Sequence, residues 1–490
     1  MIETLVVVVP ALPVACGLLT RVARTPSAAD HVNVVGALAT ASAALTLAAL
    51  ALAKSATPTQ GTWYVVDGAS GLFLAVIGVV GLLSALVSPA YLAGAGRGFF
   101  RAARARAWYY LGFHLFWATL LALPLVDNLG VAWLLVEAST GASALLVAYS
   151  GRRAAIDAGW NYLVLTTFGL TIAFAGILVL FVGLAPHGGS LATLDWQQIA
   201  AHAGELPAEG ALLAFVLIVG GLAAKIGWAP VHNWLPDAHS EAPPPVSALL
   251  SAALLPTVML VAWRVLATLG PALRDGVANA IFIAFGLASL AIAVPFLWRP
   301  LAWKRLLAYS SLEHMGVLAL GIGFATPLAT AGVVLHLAGH ALAKALGFYA
   351  AMALLRNQPD AAAHPPAGVA HASPGTAAAM GISLGSLGGL PPSPLFFSEL
   401  LVLLGGIAAG HLVVTAIAAA LLGLGFLGLA QALIEGLLGG ERQRAWRRGR
   451  AVRMTERLAA ALGAGLIALS ACAYLLPGST AVRMLMAGVS

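Results

Sequence analysis

The chain predicts an all-α fold, a polytopic membrane protein of about fourteen transmembrane helices, on three observations. Its composition is too apolar for a soluble surface, its apolar runs recur at bilayer length, and its basic residues fall in alternate loops. Of 490 residues, 61% are hydrophobic and only 9% charged, with mean hydropathy +0.94. A soluble domain carries roughly 25% charged residues. Most of this chain's surface must therefore face lipid.

Spanning the hydrocarbon takes about 20 apolar residues per helix. The first three runs, near 2–20, 31–53 and 70–93, make an N-terminal segment over residues 1–100. No Lys or Arg precedes the run at 2–20, so it reads as a retained helix rather than a cleaved leader. Runs near 108–126, 129–149, 160–184, 211–230 and 245–266 form a five-helix unit over 101–270. Runs near 277–297, 306–326, 328–355, 376–405 and 410–436 form a second over 271–436. Residues 437–490 hold a basic loop and a last helix ending near Leu476, which leaves no room for a long lateral helix. No alternating ten-residue pattern supports a β-barrel.

Two spans are interrupted. The seventh runs LAAKIGWAPVHNWLPDAH, with Pro230 and Pro236 beyond Lys225. The twelfth runs GSLGGLPPSPLFFSELLVL, with Gly388, Gly389, Pro391, Pro392 and Pro394 ahead of Glu399. Proline removes a helix donor and clashes one turn back. Broken backbone at membrane depth is tolerated only inside protein or beside water. Two breaks five helices apart fit two inverted five-helix repeats with two discontinuous helices.

The charges test the helix count. If the helices alternate, nineteen basic residues open on one side: Arg21, Arg24, Arg97, Arg101, Arg104, Arg106, Arg152, Arg153, Arg299, Lys304, Arg305, Arg356, Arg442, Arg444, Arg447, Arg448, Arg450, Arg453 and Arg457. The other side receives Lys54, Arg264, Arg274 and Arg483, and Lys225 and Lys344 lie inside spans. The positive-inside rule makes the rich side cytoplasmic and places both termini outside a bacterial inner membrane. The net charge of +7 is thus spent on membrane sidedness, with no nucleic acid as partner. The two cysteines, Cys16 and Cys472, lie far apart, with no CxxC, no GxGxxG after a strand and no GxxxxGK[ST]. Neither a cofactor nor a resident metal is expected.

An ionisable group at the bilayer centre costs at least about 2.5 kcal/mol, so each one found there is a functional candidate, set against a structural ion pair. Glu137, Lys225, Lys344 and Glu399 stand out. His336, His340 and Lys344 recur at i, i+4, i+8 and share one helical face, about 6 Å per step. Such a stripe can pass a proton through intervening water, whereas a lone histidine is more often a satisfied core residue. A buried lysine is poised between charged and neutral forms by a movable carboxylate, and Glu137 is the natural partner for Lys225. Glu313 and His314, in SSLEHMGV, join the same polar axis. His232, Asp237, His239 and Glu241 follow the break in the seventh span. Their spacing matches no common zinc pattern, and the prolines around them suit a stiff turn. Tryptophans at span ends are expected as interfacial anchors.

The stretch KIGWAPVHNWLPDAHSEAPPPVSALLS resembles the signature of the proton-translocating antiporter-like family: the three large pumping subunits of complex I, the Mrp antiporter subunits and the membrane subunits of energy-converting hydrogenases. LVDNLGVAWLLVEAST, HLAGHALAKAL and GLPPSPLFFSELLVL extend the likeness over roughly residues 100–435. DAHSEAPPPVSALLS, SSLEHMG and the short C-terminus most resemble component F of hydrogenase-4 and formate hydrogenlyase. The resemblance implies that Glu137 stands for the family's fifth-helix glutamate, Lys225 for its seventh-helix lysine, His336, His340 and Lys344 for its central relay, and Glu399 for the twelfth-helix terminal position. Many relatives carry a lysine in the eighth helix, where this chain has ALLPTVML with Pro256. Ser251, Thr257 and water are the groups available to bridge that gap. The segment AAAHPPAGVAHASPG at 361–375 is apolar where relatives carry a more charged connector.

The resemblance implies a proton-translocating, non-redox subunit of a redox-driven oxidoreductase complex. Its partners would be the lipid bilayer, other membrane subunits and, through them, a peripheral redox arm. Three alternatives stand beside it: a sodium/proton antiporter subunit of Mrp type, a membrane anchor with a relic polar axis, and a subunit for proton-coupled inorganic carbon uptake.

Overall fold

The computed structural model describes residues 1–53, 58–94, 103–274, 276–357, 367–439, 446 and 449–472. Lys54, Arg97, Arg101, Arg442, Arg444, Arg447, Arg448, Arg483, residues 361–366 of the 361–375 connector and Leu476 lie outside the described residues. Thirteen described helices are long and apolar enough to cross a membrane.

The N-terminal segment is α1 (Ile2–Val22), α2 (Pro26–Ala53) and α3 (Gly68–Gly94), with the short ribbon β1 (Thr59–Gln60) and β2 (Val65–Val66) between the last two. Next come α4 (Ala103–Ala122), α5 (Leu129–Val147) and α6 (Arg153–Leu184), then the surface helix α7 (Trp196–His202). The seventh pass is α8 (Ala208–Ile226), stopped by Gly227 at φ 80°, followed by a turn and the short α9 (Leu235–Glu241). The eighth is α10 (Pro244–Leu249), a π-helical turn over Leu250–Leu254, and α11 (Leu255–Leu269).

The second half runs α12 (Val277–Leu297), α13 (Trp303–Phe324) and α14 (Pro327–Asn357). After α15 (Val369–Ala372), the twelfth pass is two pieces, α16 (Pro374–Leu387) and α17 (Pro394–Ala408), then α18 (Leu412–Leu438) and α19 (Arg450–Cys472). The broken pair accounts for the one expected span missing from the thirteen. Both interruptions fall where proline and glycine crowd the sequence, because those residues cannot continue the backbone ladder.

Burial grades inward. Leu145, Phe168, Val182 and Val413 are exposed on the outer helices, whereas every residue of α13 except Arg305 is buried. An ideal Cβ on Gly221 would lie 2.4 Å from Ala173 N, so α6 and α8 approach at backbone distance. Ion pairs and caps gather the basic helix ends on one face. Arg152 pairs with Glu241 at 2.9 Å, Arg305 with Asp237 at 2.9 Å, and Arg356 donates to Tyr91 O at 2.6 Å. Lys304 donates to Ser240 O at 2.7 Å and to Ala242 O, closing the end of α9. At the opposite face Arg264 of α11 pairs with Asp67, at the entry to α3, at 2.9 Å with both side chains 4% exposed.

Candidate functional site

Asn128 caps α5 by accepting from Val131 N at 3.1 Å, which fixes the start of the helix carrying Glu137. Glu137, Thr140 and Ser143 follow at three-residue steps and share one face. Glu137 is half-buried; its Oε1 accepts from Thr167 Oγ1 at 2.8 Å, and its Oε2 is shut from solvent without a partner. Lys225, in the last turn of α8, is fully buried. Its ammonium donates to Thr140 Oγ1 at 2.7 Å and to the Tyr162 hydroxyl, which shares a 2.7 Å hydrogen bond with Ser143 Oγ. No ion pair joins Lys225 to Glu137: hydroxyls take the direct hydrogen bonds, with the expected carboxylate within electrostatic reach.

Beyond Lys225 the broken pass turns His239 inward. Its Nδ1 donates to Leu235 O at 2.9 Å, leaving a buried Nε2 with no partner, within electrostatic reach of Lys344 and His340. Ser251, in the π turn, shares a hydrogen bond with Ser311 of α13 at 2.8 Å. Thr257 folds back onto Ala253 O at 2.6 Å and bridges nothing. Ser251 thus meets the α13 serines, and His239 faces Lys344. The four polar residues after the break do not converge on a metal. Asp237 and Glu241 go to arginines, His239 points inward, and His232, whose burial holds its imidazole below the usual range, turns to Pro230.

On α14 the predicted stripe is present. Lys344 donates to Leu307 O at 2.6 Å and Ser310 Oγ at 2.5 Å. The rings of His336 and His340 stack 6.2 Å apart, and His314 of α13 lies 5.0 Å and 5.2 Å from them. Here the hydrogen bonds fix the tautomers. Ser398 Oγ donates to Leu395 O at 2.8 Å, so it accepts from His336 Nδ1, also at 2.8 Å. His336 Nε2 is then the acceptor for His314 Nδ1 at 3.1 Å, and the buried His314 ring also lies against the Leu387 backbone. Both nitrogens of His340 are unpartnered. In that arrangement the pair can hand a proton from His314 to His336 and on towards Ser398, the residue before Glu399. Glu313 turns to α18, where an ideal Cβ on Gly425 would stand 2.0 Å from its Oε1; the glycine makes room for the carboxylate.

The expected candidates fall into two buried groups, Glu137 and Lys225 with the hydroxyls around them, and a series of Lys344, His340, His314 and His336 that leads to Glu399; Glu137 and Glu399 are both half-buried. Sequence reasoning missed Thr140, Ser143, Tyr162, Thr167, Ser310, Ser311 and Ser398. Only Ser398, beside Glu399, carries a local signal; the others are ordinary helix residues until helices pack. Of the tryptophans, Trp63, Trp108, Trp160 and Trp298 are exposed, whereas Trp117, Trp228 and Trp234 are fully buried core rather than anchors.

An envelope this apolar around an interior this rich in acids and bases defines a polytopic membrane protein of the ion-translocating kind. The model of the NADH:quinone oxidoreductase/Mrp antiporter transmembrane family matches residues 126–425, and the chain belongs to that family. A hydrogenase-4 component F homolog from Methylacidiphilum infernorum is 29% identical over 367 residues, 74% of this chain and 76% of the relative. The NADH-quinone oxidoreductase subunit N of Desulforudis audaxviator is 31% identical over 368 residues, 74% and 70% of the two chains. In fold, a chain of the Mrp complex from Dietzia sp. matches with TM-score 0.83 at 20% identity, covering 100% of this chain and 99% of that one. A chain of respiratory complex I from Thermus thermophilus matches with TM-score 0.75 at 21% identity, covering 98% and 99%.

Proposed function

We propose that this chain is a proton-translocating subunit of a redox-driven, multisubunit membrane complex, with Glu137, Lys225, His336, His340, Lys344 and Glu399 on the path and His239, Ser251, Glu313 and His314 linking them. One observation carries the reading: Lys225 and Lys344 are both fully buried yet held by hydroxyl and carbonyl oxygens rather than by carboxylates. A structural ion pair would fix the charge. A lysine on neutral oxygens can give up its proton without leaving a buried carboxylate uncompensated. Family membership and relatives that are membrane subunits support the same conclusion.

The reading extends to organisation. Each proposed repeat, residues 101–270 and 271–436, holds one broken pass and one buried lysine. The basic helix ends lie on the cytoplasmic face of a bacterial inner membrane, and both termini lie outside. Electrons pass through partner subunits and a peripheral redox arm, and this chain supplies proton-carrying groups.

The test is proton uptake by vesicles holding the intact complex, with Lys225→Ala and Lys344→Ala. Uptake should fall at least about tenfold, a barrier change of about 1.4 kcal/mol, with the complex still assembled. Assembled variants that pump normally overturn the proposal. Sodium-dependent proton flux without any reductant would overturn it in favour of an antiporter.

A further inference from the structure

We infer that His314, His336 and Glu399 form a binding site for a divalent transition metal, zinc being the best fit, and that a bound ion plugs the buried series at that point. One ligand atom from each residue lies within 4.8 Å of the other two, and the two inter-histidine nitrogens are already 3.1 Å apart. Around a four-coordinate zinc, with bonds of about 2.0–2.2 Å, ligand atoms stand roughly 3.3 Å apart. Closing the triangle needs side-chain shifts of an ångström or so.

The surroundings are those of a metal ligand set. His336 Nδ1 donates to Ser398 Oγ, the outer-shell bond that fixes a ligating imidazole, and this leaves the Nε2 lone pair, shared with His314 Nδ1 in the metal-free protein, for the ion. His314 can free its Nδ1 for the ion by moving its proton to Nε2. Glu313, 3% exposed with an unpartnered Oε2, stands within electrostatic reach of Glu399. No ion pair engages either carboxylate among the described residues. A divalent cation with one carboxylate bound and a second nearby is close to neutral, which lowers the cost of its burial. Two imidazoles select zinc, nickel or copper over magnesium or calcium. Glu399, half-exposed beside Gly389, is the way in.

The plug follows from atom identity. The ion takes the two ring nitrogens that hold the inter-histidine proton, so His314 can no longer hand a proton to His336. Only this consequence rests on the relay reading; the site stands on geometry.

Cobalt(II) titrated into the purified, tag-free full-length chain tests the site through its visible d–d bands. One four-coordinate Co2+ per chain should appear, displaced by Zn2+ and not by Mg2+. His336→Gln and Glu399→Gln should each weaken binding at least tenfold. The double variant His187→Ala/His202→Ala removes the other histidine–carboxylate group, at the exposed face, and should leave binding unchanged. Binding that survives His336→Gln and Glu399→Gln, or disappears with the surface variant, overturns the site. Vesicles that pump protons undisturbed while Zn2+ fills the site overturn the plug. A chain that binds the ion but never moves protons sinks the relay reading and leaves the site standing.

Discussion

At the scale of single residues, a hydroxyl decides what each titratable group can do. Ser398 holds the tautomer of His336 and, through it, that of His314. Ser398→Ala should therefore slow proton uptake about tenfold or more, equivalent to ~1.4 kcal/mol on the barrier, while Ser398→Thr keeps most of the rate. A purely structural serine would instead lower thermal stability in both variants and leave the uptake of the assembled protein alone. This residue was not legible beforehand. The charged members were, because a lysine or glutamate inside twenty apolar residues is costly enough to announce itself. Tyr162, Thr140 and Ser310 carry no such penalty in a helix, and their part emerges only when α6, α5 and α13 bring oxygens to lysines from elsewhere in the chain. Glu137, expected as a movable partner of Lys225, stands within electrostatic reach of it, while the direct hydrogen bonds go to those oxygens.

Among the elements, the breaks were legible and their contents were not. Proline and glycine clusters mark the ends of α8 and α16 in the sequence, whereas the π turn at Leu250–Leu254 has only Pro256 nearby as a hint. That turn inserts one residue into the helical count and aims Ser251 at Ser311. Close helix approach is likewise a property of packing. Gly221 faces Ala173 on α6, where an added Cβ meets backbone rather than a side chain that can swing away. Gly221→Ala should lower stability by about 1–3 kcal/mol, seen as a drop in the melting temperature of the detergent-solubilised protein. A melting temperature equal to that of the parent would show that α6 and α8 have slack.

Over the whole molecule, the alternation of charge in the sequence grouped helix ends that the structure also brings together, through the ion pairs of Arg152 and Arg305 and the backbone hydrogen bond of Arg356. The tie between the N-terminal helices and the rest was hidden, since Asp67 and Arg264 are separated by nearly two hundred residues. Breaking one half of that buried pair by Arg264→Gln strands Asp67, with an expected loss of about 3–5 kcal/mol, whereas the apolar double variant Asp67→Leu/Arg264→Met should recover most of it. Thermal unfolding of both proteins measures the difference; equal losses would mean that the pair's attraction, rather than a stranded charge, sets the stability. Gly425 has a consequence of its own. Its neighbours Leu424 and Leu427 are exposed, yet its bare α-carbon rests against the carboxylate of Glu313. On the α18 side, therefore, that acid is backed by a position with no side chain to shield it.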